Sequence, residues 1–564
     1  MTPAKEPAGR IGMRAPDAVM RLDRLGSFHQ TRLSFLRAML RRAEREAWRL
    51  RRPLFSIDAA GVGTAVYTIY TPGGALSLVA FSHDLPAEQR TDRVIAEAWD
   101  STFALYDGVP DRTEIERLHA NVPLQEAGRY LPSDLVLARA NRSVRLFETV
   151  VAALASGRQP DAGEIESVGY LMRTTAVYGN GKFGIADRDA IAARPEFAGP
   201  FRAEMLTVWL IRAFTCDLVE AMARQRAPAT AVPLEAPLRR RLGIGNATGL
   251  GMAPFLVKHP VLIDRWITAR ETALARVRAR TSASAEQKAV FGKALRRARS
   301  GLTRWTTVDP VQQTRLLMLA TDLESVSRQV EDGELTRPMP WDALYRWSQH
   351  ALSLEGQEYV VSLLLEPHGD LVDDLADAMA ADEAAAFRID GTRRVADVCA
   401  RVDRHYGWVR DNDFECAEAN ARFWYVSEEK LEPRLGERHA EPGADREHPL
   451  ATARDVVRLR ADLGAFDPQA TIAAFLLAHA EHRHTVRRVQ IAERHPYGEI
   501  RANLIDATMR PIDMLRAKLS FFGCTRFDPR SDKWLRITLF QGAPFPHEIG
   551  GGHDETWIYG PEAA

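Results

Sequence analysis

The chain has 564 residues, with 75 basic and 75 acidic side chains, 46% hydrophobic and 27% charged residues, and a pI near 7.3. A balanced charge of this kind excludes the global basic field of a nucleic-acid-binding surface, and no run approaches 18 apolar residues, so neither nucleic acid nor membrane is an expected partner. The length predicts three or four domains at roughly 150 residues each.

Four cysteines (Cys216, Cys399, Cys416 and Cys524) are scattered without a CxxC pair, the usage of a reducing compartment, and a cytoplasmic location is expected. Lys5, Arg10 and Arg14 precede no apolar run, so no signal peptide is expected. Abundant alanine and arginine with only eight lysines resembles the coding bias of a GC-rich bacterial genome.

In chain order, residues 1–27 carry no period and read as a loose arm. Residues 30–50 read as a helix with Leu33, Leu36, Met39 and Leu40 on one face and arginines on the other, a solvated face paired with glutamates. Leu54–Ile57, Ala65–Tyr70 and Ala75–Phe81 alternate and are rich in β-branched and aromatic residues. Gly61-Val62-Gly63 and Pro72-Gly73-Gly74 separate them, so they predict a three-stranded antiparallel meander. A helix over 88–98 and a strand over Ser101–Tyr106 complete a small α+β unit spanning 28–110. Gly61-x-Gly63 leads into a strand and lacks a third glycine, so it is not a dinucleotide fingerprint.

From about 110 to 530 the apolar spacing is helical nearly throughout. It divides into helical domains over 111–300 and 301–434, a polar link over 435–449, and a helical hairpin plus C-terminal strand over 450–545. Trp534–Phe540 returns to strand character and could join the N-terminal sheet. Residues 546–564 read as a flexible tail. The expected fold is mainly α: a multi-helix, bundle-like body with a small N-terminal antiparallel β meander, α+β in character.

Two glycine clusters stand out. Tyr178-Gly179-Asn180-Gly181-Lys182-Phe183-Gly184 has three glycines in six residues and one of the eight lysines. The ammonium suits phosphate or carboxylate. Gly243-Ile244-Gly245-Asn246-Ala247-Thr248-Gly249-Leu250-Gly251 follows Arg239–Arg241 and precedes Lys258, and its backbone amides could form an anion-binding nest. No Gly-Lys-Ser/Thr ends it, so it is not a P-loop.

Over about ten residues, Val177–Gly184 looks somewhat like the His-Asn-Gly-x-x-x-Gly loop in the helical substrate domain of 6-phosphogluconate dehydrogenases. Gly179 stands at the histidine position, the spacing is one residue short, and no Rossmann domain precedes it. The family is not inferred. The resemblance implies only a helical domain in which Asn180 faces a polar ligand.

Three further groups could carry chemistry. Glu428 and Glu429 follow the aromatic run Phe423-Trp424-Tyr425, where desolvation could make either a base. His479 and His482 fall on the core face of a long helix over 472–493. They could share a metal if a carboxylate from elsewhere completed the set, but satisfied crevice histidines or proton transfer are the readings favoured, and no metal is assigned. His495-Pro496-Tyr497-Gly498-Glu499 breaks a helix and gathers His495, Arg501 and Asn503 near its end. His547 and His553 lie in the expected tail.

The reading is a cytoplasmic enzyme acting by proton transfer, without a large cofactor, on a small carboxylated or phosphorylated metabolite. Lys182, Glu428, His482 and His495 are its candidate catalytic residues, and Asn180, Asn246, Lys258, Arg501 and Asn503 its candidate binding residues. A homo-oligomer is compatible. The alternative is a non-catalytic scaffold docking a partner through its arginine-rich N-terminal helix.

Overall fold

The computed structural model describes residues 11–89, 98–122, 130–174, 188–249, 260–379, 387–416, 426–427, 432–433, 449–498, 516–517, 519–529, 534–552 and 554–560. The expected meander is the start of a much larger sheet. Strands β1 (Arg49–Ile57), β2 (Gly63–Thr71), β3 (Gly74–Ser82), β4 (Ser101–Asp107), β5 (Asp134–Arg142), β6 (Tyr170–Thr174) and β7 (Gly243–Gly249) run in sequence order. A two-residue pair, β8 (Val426–Ser427) and β9 (Glu432–Pro433), stands apart. β10 (Arg526–Pro529) and β11 (Trp534–Leu539) close the far edge, giving nine strands in the order β1-β2-β3-β4-β5-β6-β7-β11-β10.

All neighbours are antiparallel except β6 and β7, which are parallel. The C-terminal strand does join the N-terminal sheet, through β7. The near-continuous helical reading of 110–530 therefore missed β5, β6, β7 and β10.

The principal helices are α1 (Phe35–Arg45), α2 (Arg112–Asn121), α3 (Phe147–Ala155), α4 (Arg202–Arg226), α5 (Pro260–Arg278), α6 (Ala285–Leu302), α7 (Pro310–Glu331), α8 (Pro340–Ala351), α9 (Leu354–Leu365), α10 (Gly369–Ala378), α11 (Val395–Tyr406), α12 (Pro449–Ala465), α13 (Ile472–Ala478) and α14 (Arg483–Arg494). Among the described residues, no helix is long and apolar enough to cross a membrane.

The sheet has two distinct faces. One carries Phe103, Ala138, Ala140, Met172, Ile244, Ile537 and Leu539, and it packs with α4 into the main core. Helix α4 is buried for most of its length. Its Arg212 is fully buried yet satisfied: Nε donates to the Leu242 carbonyl and Nη1 to the Ala543 carbonyl, each at 2.7 Å, and the guanidinium lies over the Phe545 ring. Trp209 of α4 donates to the Pro544 carbonyl at 2.8 Å. On the opposite face, Leu118 and Val122 of the α2 segment cover Val66, Val79, Phe81, Ala104 and Leu137.

A separate core unites α11–α14 through Val398, Val402, Val456, Leu459, Ile472, Phe475, Val486 and Val489.

The arginines of α1 do not form the solvated face that the sequence suggests. Arg37 is fully buried, with a bidentate pair to Glu366 at 2.8 and 2.6 Å and a bond from Nε to Glu555 at 2.8 Å. Arg41 also reaches Glu555, and Arg32 pairs with Asp373 at 2.7 Å. These pairs use the arginine forks within the chain, the reverse of a free docking face.

The expected loose ends are tied down by the same chemistry. Arg14 binds Glu271 at 2.8 Å and Glu358 at 2.7 Å, and Val19 and Leu25 are buried. At the other end Glu555 is in the Arg37 network, and buried Tyr559 shares a 2.8 Å hydrogen bond with His29 Nε2.

Removing Arg37 should be costly because it strands two carboxylates away from water. Arg37→Met is expected to lower unfolding free energy by about 3–5 kcal/mol, and Arg37→Lys by less, as read by denaturant melts. Acid should also weaken the fold in two stages. Burial, aided by Arg37 and opposed by Glu366, holds the His29 imidazole down at about 4, so its neutral form is the folded one. Its contribution is complete above pH 6.5 and is lost as pH falls toward 4. Burial alone would raise Glu358, but Arg14 and Arg270 overcome it and hold the carboxyl at about 2, below its ordinary 4.5. That contribution is lost as pH falls from 4.5 through 2. Burial also holds His368 down at about 4, so stability measured against pH should show the upper stage shrink in His29→Gln and vanish only when His368 is replaced as well, while the lower stage persists.

Candidate functional site

The one parallel pair in the sheet sets the geometry of the site. Tyr170 of β6 stands opposite Gly243 of β7 and Arg173 opposite Gly245, and β7 is held on its other side by β11 from Ile244–Leu539 to Gly249–Trp534. The second glycine cluster is thus a strand in the middle of the sheet, where the sequence suggests a loop. Its first glycines serve close packing. A Cβ on Gly243 would stand 2.4 Å from the Leu539 carbonyl oxygen, and one on Gly245 would stand 2.7 Å from the Tyr170 ring. With the backbone paired to β11 from Ile244 to Gly249 and to β6 at Gly243 and Gly245, this stretch is a sheet strand where its composition suggests an anion nest. Asn246 is buried, and its Nδ2 donates to the Thr174 carbonyl at 3.0 Å, linking the end of β6 to the middle of β7.

Register assigns the polar side chains here to one face. Asn141 of β5 is opposite Arg173, Thr538 of β11 is opposite Gly245, and Arg536 is opposite Ala247. Side chains two apart share a face, so Arg139, Arg173 and Arg536 line up on one side across the small residues Gly245, Ala247 and Gly249. Asp528 of β10 stands directly opposite Arg536 and offsets part of that charge.

Several candidate residues lie outside the described residues: Asn180, Lys182, Lys258, Glu428, Arg501 and Asn503. The points from which most of their segments leave the described fold are described, and they fall at two places, the carboxyl ends of β6 and β7 and a contact between Pro260 and Gly498. The segment with Asn180 and Lys182 continues from Thr174 at the end of β6. The segment with Lys258 continues from Gly249 at the same end of β7 and re-enters the described chain at Pro260. The segment with Arg501 and Asn503 continues from Gly498, whose backbone lies against Pro260 so closely that a Cβ would be 2.3 Å from its carbonyl oxygen.

His495 stands beside that junction. It caps the C-terminus of α14, and its Nδ1 is 3.0 Å from Asp264 Oδ2 on the first turns of α5. The other Asp264 oxygen accepts the Tyr497 amide at 2.9 Å, and the Tyr497 hydroxyl donates to the Arg14 carbonyl at 2.5 Å. Burial first, then Glu271 and Asp264, push the Tyr497 hydroxyl above its ordinary range, so it stays a donor. A carboxylate on Nδ1 fixes the ring and its tautomer and leaves Nε2 as the working nitrogen. That arrangement can take and return a proton.

His482 does not join this group. The expected long helix over 472–493 breaks after Ala478, and His482 lies in a 3-10 turn at the start of α14. The twelve residues of α14 separate it from His495 by about 18 Å. Its ring is buried, with Nε2 2.6 Å from Asp462 Oδ2. Sequence reasoning also passed over Asp264, Arg139, Arg173 and Asp462. A carboxylate one turn into a helix after His-Pro is a weak cue for the first, and the others carry no local signal. Cys399, expected buried, is half-buried, whereas Cys216 is buried as expected.

No protein-family model matches the chain, and no curated protein or solved structure matches it.

If Gly243 serves packing, Gly243→Ala should destabilise the protein by about 1–3 kcal/mol without any ligand present. Chemical denaturation of the two proteins measures the difference.

Proposed function

We infer that the chain is an enzyme that binds a small anionic metabolite, carboxylated or phosphorylated, beside the ends of β6 and β7 and acts on it by proton transfer. The reading is supported by two observations: the segments bearing Asn180 and Lys182 and bearing Lys258 leave from the carboxyl ends of the neighbouring parallel strands β6 and β7, and the Lys258 segment returns at Pro260, which touches Gly498, where the segment with Arg501 and Asn503 begins. Ligands of sheets with parallel strands favour the carboxyl ends of those strands. A site of this class gathers a few convergent polar groups into one place.

The roles follow from residue chemistry. Lys182 and Lys258 supply compact positive charge, and Arg501 can grip two oxygens at once. Asn180 and Asn503 donate and accept. Asn246, tied to Thr174, holds the end of β6 against β7 and acts as a positioning residue. His495, oriented by Asp264, is the general acid–base. His482 drops from the catalytic set because it lies a helix length from His495, and Glu428, outside the described residues, is given no role in this reading.

The test is a thermal-shift screen of phosphorylated and carboxylated metabolites against wild type, Lys182→Ala and His495→Gln. A ligand at 100 times its dissociation constant should stabilise the wild type by about 2.7 kcal/mol. The shift should disappear in Lys182→Ala and persist in His495→Gln, while turnover of the ligand so found should fall in His495→Gln by about 100-fold or more. A wild type indifferent to every anion, or a Lys182→Ala protein that shifts as wild type does, overturns the reading.

A further inference from the structure

The helix break at Ala478 has an effect that an unbroken helix could not produce. In a regular helix His479 and Glu481 would point roughly 200° apart. Here α13 ends at Ala478, His479 leaves helical geometry at φ −131° and ψ 67°, and Ala480–His482 forms a 3-10 turn before α14 begins. The turn folds His479, Glu481 and His482 toward Asp462 on α12. One donor atom from each of these four residues lies within 4.8 Å of every other. His482 Nε2 is 2.6 Å from Asp462 Oδ2, and His479 Nδ1 is 3.3 Å from Glu481 Oε1.

The rings are held in place by neighbours. Phe475 stacks on both imidazoles, at 4.9 Å and 24° for His479 and 5.8 Å and 16° for His482. Phe466 meets His479 edge-on at 6.0 Å. The start of α13 is fixed in turn by the Thr471 side chain, which caps Ala474, and by a bridge from Thr471 to Arg394.

We propose that Asp462, His479, Glu481 and His482 form a binding site for a divalent transition-metal ion, zinc foremost. Two imidazoles and two carboxylates form a donor set that zinc accepts in tetrahedral geometry. Metal–ligand bonds of about 2.0–2.2 Å place tetrahedral ligands about 3.4 Å apart, so closure from 4.8 Å is a movement of about an ångström. The half-exposed His479 and exposed Glu481 can make it by side-chain rotation, while His482 is already buried against Phe475. With all four positions filled by protein, the ion staples the α13–α14 corner to α12, across the smaller of the two main cores. Small cores gain most from such a staple. The site is a helix length from His495 and stands or falls independently of the proposed anion site.

The experiment uses the full chain, stripped with chelator and desalted, with zinc chloride as the probe. Equilibrium dialysis should find one tightly held zinc per chain in wild type, and the ion should raise the melting temperature. Tetrahedral Co²⁺ in its place should give intense visible absorption. His479→Ala removes a half-exposed ligand and should lose the tight equivalent, the absorption and the melting shift. Asp462→Asn, which keeps a hydrogen-bonding partner for His482, provides the same test if His479→Ala folds poorly. Wild type without a tight equivalent, or variants that retain it, would overturn the proposal.

Discussion

An arginine guanidinium taken out of water needs carboxylates or carbonyls around it, and that requirement ties the distant parts of this chain together. Arg37 on α1 grips Glu366 beyond α9 and Glu555 near the chain's end, contacts that span 329 and 518 residues. Arg14 does the same for Glu271 on α5 and Glu358 on α9, and Arg516 for Glu355 and Gln312. Arg212 uses carbonyls and an aromatic face. A planar fork with five donors can serve several partners at once, which lysine cannot. The bias toward arginine in the composition is thus partly a structural requirement.

The sequence made part of this fold legible, and the boundary between legible and illegible has a physical cause. β1–β4 announce themselves because they are long and alternating, and glycine turns separate the first three. β6 is five residues with no polar face to reveal a period, and all five are buried. β7 has three glycines in seven residues, a composition that reads as a loop in isolation. Its strand conformation is imposed by β6 and β11, which approach so closely that side chains are excluded. Local composition cannot disclose a strand whose defining feature is what its neighbours leave no room for. The break after Ala478 is illegible for a related reason: apolar spacing continues through it, because both halves pack on the same core.

The candidate site was read in pieces. Composition singled out the segments, and topology supplies what composition could not, namely that two of them leave from neighbouring parallel strands and that a third begins where Gly498 touches Pro260. The two histidine positions illustrate the difference. On the sequence His482 and His495 stand side by side as candidate catalytic residues. In the fold each has its own aspartate, Asp462 for one and Asp264 for the other, from different helices and at opposite ends of α14. Pairing with a carboxylate decides what a histidine can do, and the partner is remote in sequence both times.

The late arrival of β10 and β11 bears on how the protein is made. β7 is synthesised roughly 285 residues before the strand that covers its outer edge, a wait of roughly 15–60 s at elongation rates of about 5–20 residues per second. Until then the nascent sheet ends in an open, glycine-rich ladder, the kind of edge that recruits foreign strands. Folding on the ribosome is therefore vectorial only up to β7. The half-built sheet must be shielded, by the helices that emerge in the meantime or by a chaperone, until the last part of the chain seals it.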